Sequence, residues 1–171
     1  MSLNIKIARE EESIQELWQK KSRPLISITV IWGTDARPEN GKLILLQEDS
    51  EDGEKRLLLE FIKILHEIQP DILCTYQGDS FDLPYLFHRM TVLGIPTHLL
   101  SLFKEDTCFY SSQLLSYRIK GRMCFDLALR TWGIHPSSGN KGLYDISQET
   151  LGKGKPVTEV PTGHAFEESP L

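Results

Sequence analysis

PDILCTYQGDSFDLPYLFHRM, residues 70–90, is the stretch that decides the fold. Ile72-Leu73-Cys74-Thr75-Tyr76 is a short apolar run opened by Pro70-Asp71 and closed by Gln77-Gly78-Asp79, the pattern of a buried strand running into a turn. A helix is predicted directly after it, with Asp79 or Ser80 as its cap. Pro84 falls in the first turn, where an N–H would have no intrahelical acceptor. Asp82 then stands at a helix N-terminus just past the carboxyl end of a strand. Orphan N–H groups and the positive end of the helix dipole favour an ionised carboxylate there, and open α/β sheets collect ligands along that rim. On spacing alone Asp82 reads first as a dipole acid and second as a metal ligand facing a groove.

Outward from this stretch the pattern alternates between strand and helix. LISITVIW, residues 25–32, is dense in β-branched residues and follows Pro24. KLILLQ, residues 42–47, comes after a loop short enough for antiparallel pairing. SEDGEKRLLLEFIKILHEIQ, residues 50–69, opens with acids and carries Leu57, Leu58, Phe61, Ile62, Leu65 and Ile68 along one side, so a helix packed on the sheet is expected, stopped at Pro70. The helix from about 80 to 93 ends at Gly94 and Pro96. Residues 107–125 are aromatic and β-branched, broken at Lys120-Gly121, and predict a β-hairpin. NIKIA, residues 4–8, reads as a short strand and residues 10–21 as a charged helical segment. Leu143 to Leu151 reads as a short helix closed by Gly152. The organisation expected is an N-terminal segment 1–23, one domain over 24–152 and an extended tail 153–171. The fold class is α/β: a mixed sheet with flanking helices and an inserted β-hairpin.

A length of 171 residues with 40% hydrophobic content suits one domain with a proper core. The net charge of −5 argues against a general basic coat for nucleic acid, but not against a site that gathers carboxylates around metal. Three scattered cysteines, Cys74, Cys108 and Cys124, form no Cys-x-x-Cys pair and suggest an intracellular, reducing setting. No apolar run is long enough for a bilayer, so no membrane is expected among the partners.

YQGDSFDLPYL, residues 76–86, resembles the second exonuclease motif of family B DNA polymerases. IKGRMCFDLALR, residues 119–130, resembles that family's Gly-Arg segment leading to Asp-Leu, and LYDISQETLGKGK, residues 143–155, resembles its later helix. Three matches in the right order imply a ribonuclease-H-like fold and the 3′-5′ proofreading exonuclease region of such a polymerase. The partners implied are a single-stranded DNA or primer 3′ end and the rest of the polymerase. The cofactor implied is Mg²⁺ or Mn²⁺, held as a pair because phosphodiester hydrolysis of this kind activates water at one ion and stabilises the leaving oxygen at the other. Asp82 takes the catalytic and metal-ligating position. Tyr76, Phe81 and Tyr85 take positions suited to stacking on unpaired bases, and Gln77 stands where the family has Asn.

The family's other carboxylates come from an Asp-x-Glu on the first strand and a Tyr-x-x-x-Asp on a late helix. Asp49-Ser50-Glu51 and Asp52-Gly53-Glu54 match the first by letter, but they lie at the start of a helix and read as capping and dipole acids. At the expected place stands Ala8-Arg9-Glu10, leaving Glu10 as a weak metal candidate without its aspartate. No Tyr is followed four places on by Asp, and His66 with Asp71, the nearest relative of that pattern, precedes the second motif. The expectation is a domain that hydrolyses DNA poorly or not at all. The alternative is a non-catalytic nucleic-acid-binding or structural module of a replication polymerase; a free-standing nuclease fits the missing carboxylates least.

Overall fold

The computed structural model describes residues 1–7, 23–34, 37–46, 51–103, 109–111, 116–128 and 143–152. The strands are β1 (Ser2–Ile7), β2 (Leu25–Thr34), β3 (Arg37–Leu46), β4 (Ile72–Thr75), β5 (Phe109–Ser111), β6 (Ser116–Arg118) and β7 (Met123–Asp126). The helices are α1 (Glu51–Ile68), α2 (Asp82–Val92) and α3 (Leu143–Leu151), with a short 3₁₀ turn at Thr97–Leu100. Five strands form one sheet in the order β3-β2-β1-β4-β7, and β5 and β6 form a separate two-stranded ribbon. β1 pairs antiparallel with β2 and β2 with β3, whereas β4 runs parallel to β1 and to β7. This mixed α/β sheet with flanking helices is the ribonuclease-H-like class expected from the sequence.

The core lies on one face of the sheet. Leu3 pairs with Val30 and Ile5 with Ile28 across β1 and β2, and all four are buried together with Leu73 of β4. α1 adds Leu57, Leu58, Phe61, Ile62 and Leu65 to the same cluster, and α2 adds Leu83, Leu86 and Met90. These are the positions that a 3.6-residue repeat brings to one helix face. Each such side chain contributes about 1.5–3 kcal/mol on full burial. The opposite face carries Ile31, Ile72 and Met123, all exposed.

Two segments differ from their sequence reading. β1 begins at Ser2 and sits in the middle of the sheet, so the sheet draws on residues well before position 24. The stretch 107–125 is not one hairpin about Lys120-Gly121. The hairpin is β5 with β6; Gly121, at φ +81°, turns the chain out of it, and the residues that follow join the central sheet as β7 beside β4. Strand propensity shows in both places, but pairing partners are set by long-range packing that no local pattern contains. The segment 8–22, with its helical reading, the loop 136–142 and the tail from 153 lie outside the described residues.

Glu54 also departs from its reading as a dipole acid. It is 1% exposed, and its Oε1 accepts hydrogen bonds from Arg89 Nε at 2.8 Å and from the Leu25 backbone N–H at 2.8 Å, while Oε2 meets Arg89 Nη2. One carboxylate thereby joins the start of α1, the end of α2 and the start of β2. Removing one member of such a pair strands a buried charge, at a cost of about 3–5 kcal/mol. Glu54→Ala is therefore expected to lower stability in urea unfolding by about 3–5 kcal/mol, and Glu54→Leu combined with Arg89→Met by far less. A loss under about 1 kcal/mol in the single variant would show that the pair is solvated.

Candidate nuclease-type site

β4 ends at Thr75, and the turn that follows has an unusual backbone. Gln77 adopts φ +60°, so its carbonyl accepts from Ser80 N, Phe81 N and Ser80 Oγ at 3.3, 2.9 and 3.0 Å. Gly78 presses against Thr75 so closely that a Cβ there would collide with the threonine side chain. The turn's outward N–H groups need an acceptor, and Asp126 supplies it. This residue ends β7 directly beside Thr75; its Oδ1 accepts from Gln77 N at 2.9 Å and Ala128 N at 2.9 Å, and its Oδ2 from Asp79 N at 3.0 Å. Asp126 is therefore a structural acceptor of backbone amides. Arg122 donates to the carbonyls of Leu65, Pro70 and Leu100, closing the end of α1.

Asp79 was expected as a cap for the following helix and is not one. Phe81 occupies the cap position with no side-chain bond, because the Asp79 Oδ1 accepts the Tyr117 N–H of β6 at 2.9 Å and Ser80 turns back to Gln77. The Tyr117 ring in turn packs on Phe87 of α2 with centroids 4.8 Å apart. The β5–β6 hairpin is thus pinned to the turn that leads into Asp82. Burial raises the Asp79 pKa above its ordinary value; the nearby Asp126 adds to this, while the Tyr117 N–H and Arg118 oppose it.

Asp82 is the first residue of α2, as the sequence predicts. Its side chain does not face an open groove: it is 3% exposed, and its Oδ1 accepts the Ile5 N–H of β1 in a long contact of 3.4 Å. Ala8-Arg9-Glu10, with the metal candidate Glu10, lies outside the described residues. Phe81 and Tyr85 stack, with ring centroids 5.9 Å apart and planes at 25°. Tyr85 itself is fully buried, and its hydroxyl donates to the Arg23 carbonyl at 2.7 Å. Burial, with a smaller contribution from Glu54, raises its pKa against the opposing pull of Arg89 and Arg23. Tyr76 is half-buried; burial first, then Asp126 and Asp145, raises its pKa. Gln77 is exposed. The structure therefore brings Tyr76, Gln77 and Phe81 toward the surface around one turn and sets Tyr85 behind them.

Strand order and the placement of this turn define a ribonuclease-H-like fold. A family model, DNA polymerase family B, exonuclease domain, matches residues 1–130, and the chain belongs to that family. The DNA polymerase of Thermococcus sp. (strain 9oN-7) is 34% identical over 105 residues, covering 61% of this chain and 14% of that protein. DNA polymerase 1 of Aeropyrum pernix is 31% identical over 112 residues, covering 64% and 11%. The family B DNA polymerase of Pyrobaculum calidifontis superposes with a TM-score of 0.67 at 20% identity over 86% of this chain and 18% of the other, a likeness of fold. The chain spans only 11–18% of the length of these polymerases.

Exonuclease domains of this family depend on divalent metal ions. The described residues here do not fit such a pair of ions. Magnesium takes near-octahedral oxygen coordination, and two ions need several convergent carboxylates. Among the described residues no three His, Cys, Asp or Glu side chains converge in that way. Asp79 and Asp126 are engaged by backbone N–H groups, and Asp82 is enclosed.

Two outcomes follow from the turn's wiring. Asp126→Ala removes the acceptor of three N–H groups and is expected to cost about 3 kcal/mol in chemical unfolding; a loss below about 0.5 kcal/mol would contradict the role given to this carboxylate. Asp79 binds its proton more tightly folded than unfolded, so its ionisation lowers stability as pH rises through and above its ordinary value of 3.8. Asp79→Asn removes that loss, and its melting temperature relative to wild type should climb over the same rise in pH. A difference independent of pH would show that Asp79 ionises as freely in the folded chain as in the unfolded one.

Proposed function

We propose that this chain is an exonuclease-type domain that receives a single-stranded DNA 3′ end within a family B polymerase and does not itself hydrolyse it. Family membership supports the DNA-end reading, and the observation that carries the lack of hydrolysis is the enclosure of Asp82, whose carboxylate accepts the Ile5 N–H of β1. Tyr76 and Phe81 provide aromatic surface for stacking, Tyr85 buttresses Phe81 from the core, and Gln77 offers an exposed amide beside them. Stacking of this sort tolerates any base sequence. The relatives are DNA polymerases many times longer than this chain, which supports the rest of a polymerase as its partner and an intracellular setting. Among the described residues no helix is long and apolar enough to cross a membrane.

A second reading, a structural module of the polymerase that touches no DNA, is favoured by one observation, the net charge of −5. One experiment separates the two. The chain is incubated with 3′-labelled single-stranded DNA in Mg²⁺ and in Mn²⁺, with trimming followed on gels and binding by fluorescence anisotropy. The expected result is binding without trimming, weakened by about 1–3 kcal/mol in Tyr76→Ala and in Phe81→Ala. Trimming that Asp82→Ala abolishes would overturn the lack of hydrolysis, and absence of binding at low salt would leave the structural module.

A further inference from the structure

We propose that Arg118 of β6 is a phosphate contact for the single strand, so that the sugar–phosphate backbone runs on the hairpin side of the turn while bases stack on Tyr76 and Phe81. The assignment rests on the DNA-end reading of this site and deepens it by fixing the side that the charged backbone takes. The hairpin is held against the turn through one residue: the Tyr117 N–H donates to Asp79 Oδ1 at 2.9 Å, and the Tyr117 ring packs on Phe87. Side chains alternate along a strand. Tyr117 and the buried Ile119 therefore face the protein, and Arg118 between them faces away from it. Arg118 is half-buried and forms no salt bridge with a described residue.

The described charges distinguish the two sides of the turn. Asp126 and Asp145 stand near the Tyr76 hydroxyl, and their negative charge favours its protonated form. At Asp79 the hairpin brings in Arg118, whose positive charge opposes the effect of Asp126. A phosphate over Tyr76 would meet like charge, whereas beside the hairpin it meets a guanidinium whose planar fork matches two phosphate oxygens. Rings for the bases and a cation for the backbone are the parts from which sequence-neutral binding of a single strand is built. With a net charge of −5 the chain has no general attraction for DNA, so a cation placed at the turn carries much of the salt-dependent binding. Were Arg118 only a counter-charge for Asp79, its loss would alter stability and leave DNA affinity unchanged.

The test is fluorescence anisotropy of the whole chain with 5′-labelled oligo(dT) across a KCl series, in EDTA so that no metal takes part. Arg118→Ala should weaken binding about five- to tenfold at low salt and reduce the slope of log K against log salt by about 0.7, the share of one phosphate on a single strand. Arg118→Lys should keep the slope. Lys63→Ala, which removes the same charge from an exposed position on α1, should change neither quantity. Neutral methylphosphonates are then substituted for single phosphates, one at a time from the 3′ end. One position should cost affinity in wild type and cost nothing further in Arg118→Ala. Thermal melting checks that each variant is folded, and Arg118→Gln takes the place of Arg118→Ala where that variant is not. An unchanged slope in a folded variant, or methylphosphonate losses equal in both chains, would overturn the inference and leave the proposed function standing. A wild type that does not bind at low salt would overturn both.

Discussion

Three backbone N–H groups converge on the carboxylate of Asp126, and the arrangement around α2 depends on them. The chain leaving β4 must reverse toward a helix within a few residues, and it does so through a left-handed residue at Gln77 and a glycine seated on Thr75. Such a turn points N–H groups outward that no neighbouring carbonyl can reach, and buried donors left unmet are costly. Because β7 lies parallel to β4 with Asp126 beside Thr75, the acid arrives where the donors point. The direction of α2, the anchoring of the hairpin through Asp79 and the contact of Asp82 with β1 all follow from that fixed turn.

Much of this frame was legible in the residues. The apolar run at 72–76, the acid-then-apolar periodicity of 50–69 and the Gly94 and Gly152 stops each carry a local signal, and each element formed within a few residues of its expected bounds. What remained hidden was long-range. Asp79 is as good a helix cap by composition as any, yet Tyr117, far along the chain, takes its carboxylate. Tyr85 reads as a base-stacking aromatic until the Arg23 carbonyl is seen to hold its hydroxyl inside the core. Arg89 gave a usable warning, since a cation between Leu86 and Met90 on a buried helix face needs an acid partner, but nothing local names Glu54 as that partner.

The position of the first carboxylate motif is a further case. The expected place in the sequence led to Ala8-Arg9-Glu10, which lies outside the described residues. The β1 group that meets Asp82 is a backbone one, the Ile5 N–H, which no side-chain motif announces. The picture that results is a nuclease frame whose turn, hairpin and helix start are held by hydrogen bonds within the protein.

The most direct measurement is a crystal of the whole chain soaked in MnCl₂ and recorded at a wavelength where manganese scatters anomalously. The account predicts no anomalous peak within coordination reach of the Asp82 carboxylate, whose Oδ1 stays on the Ile5 N–H. Two peaks beside Asp82, about 3.5–4 Å apart, would contradict it.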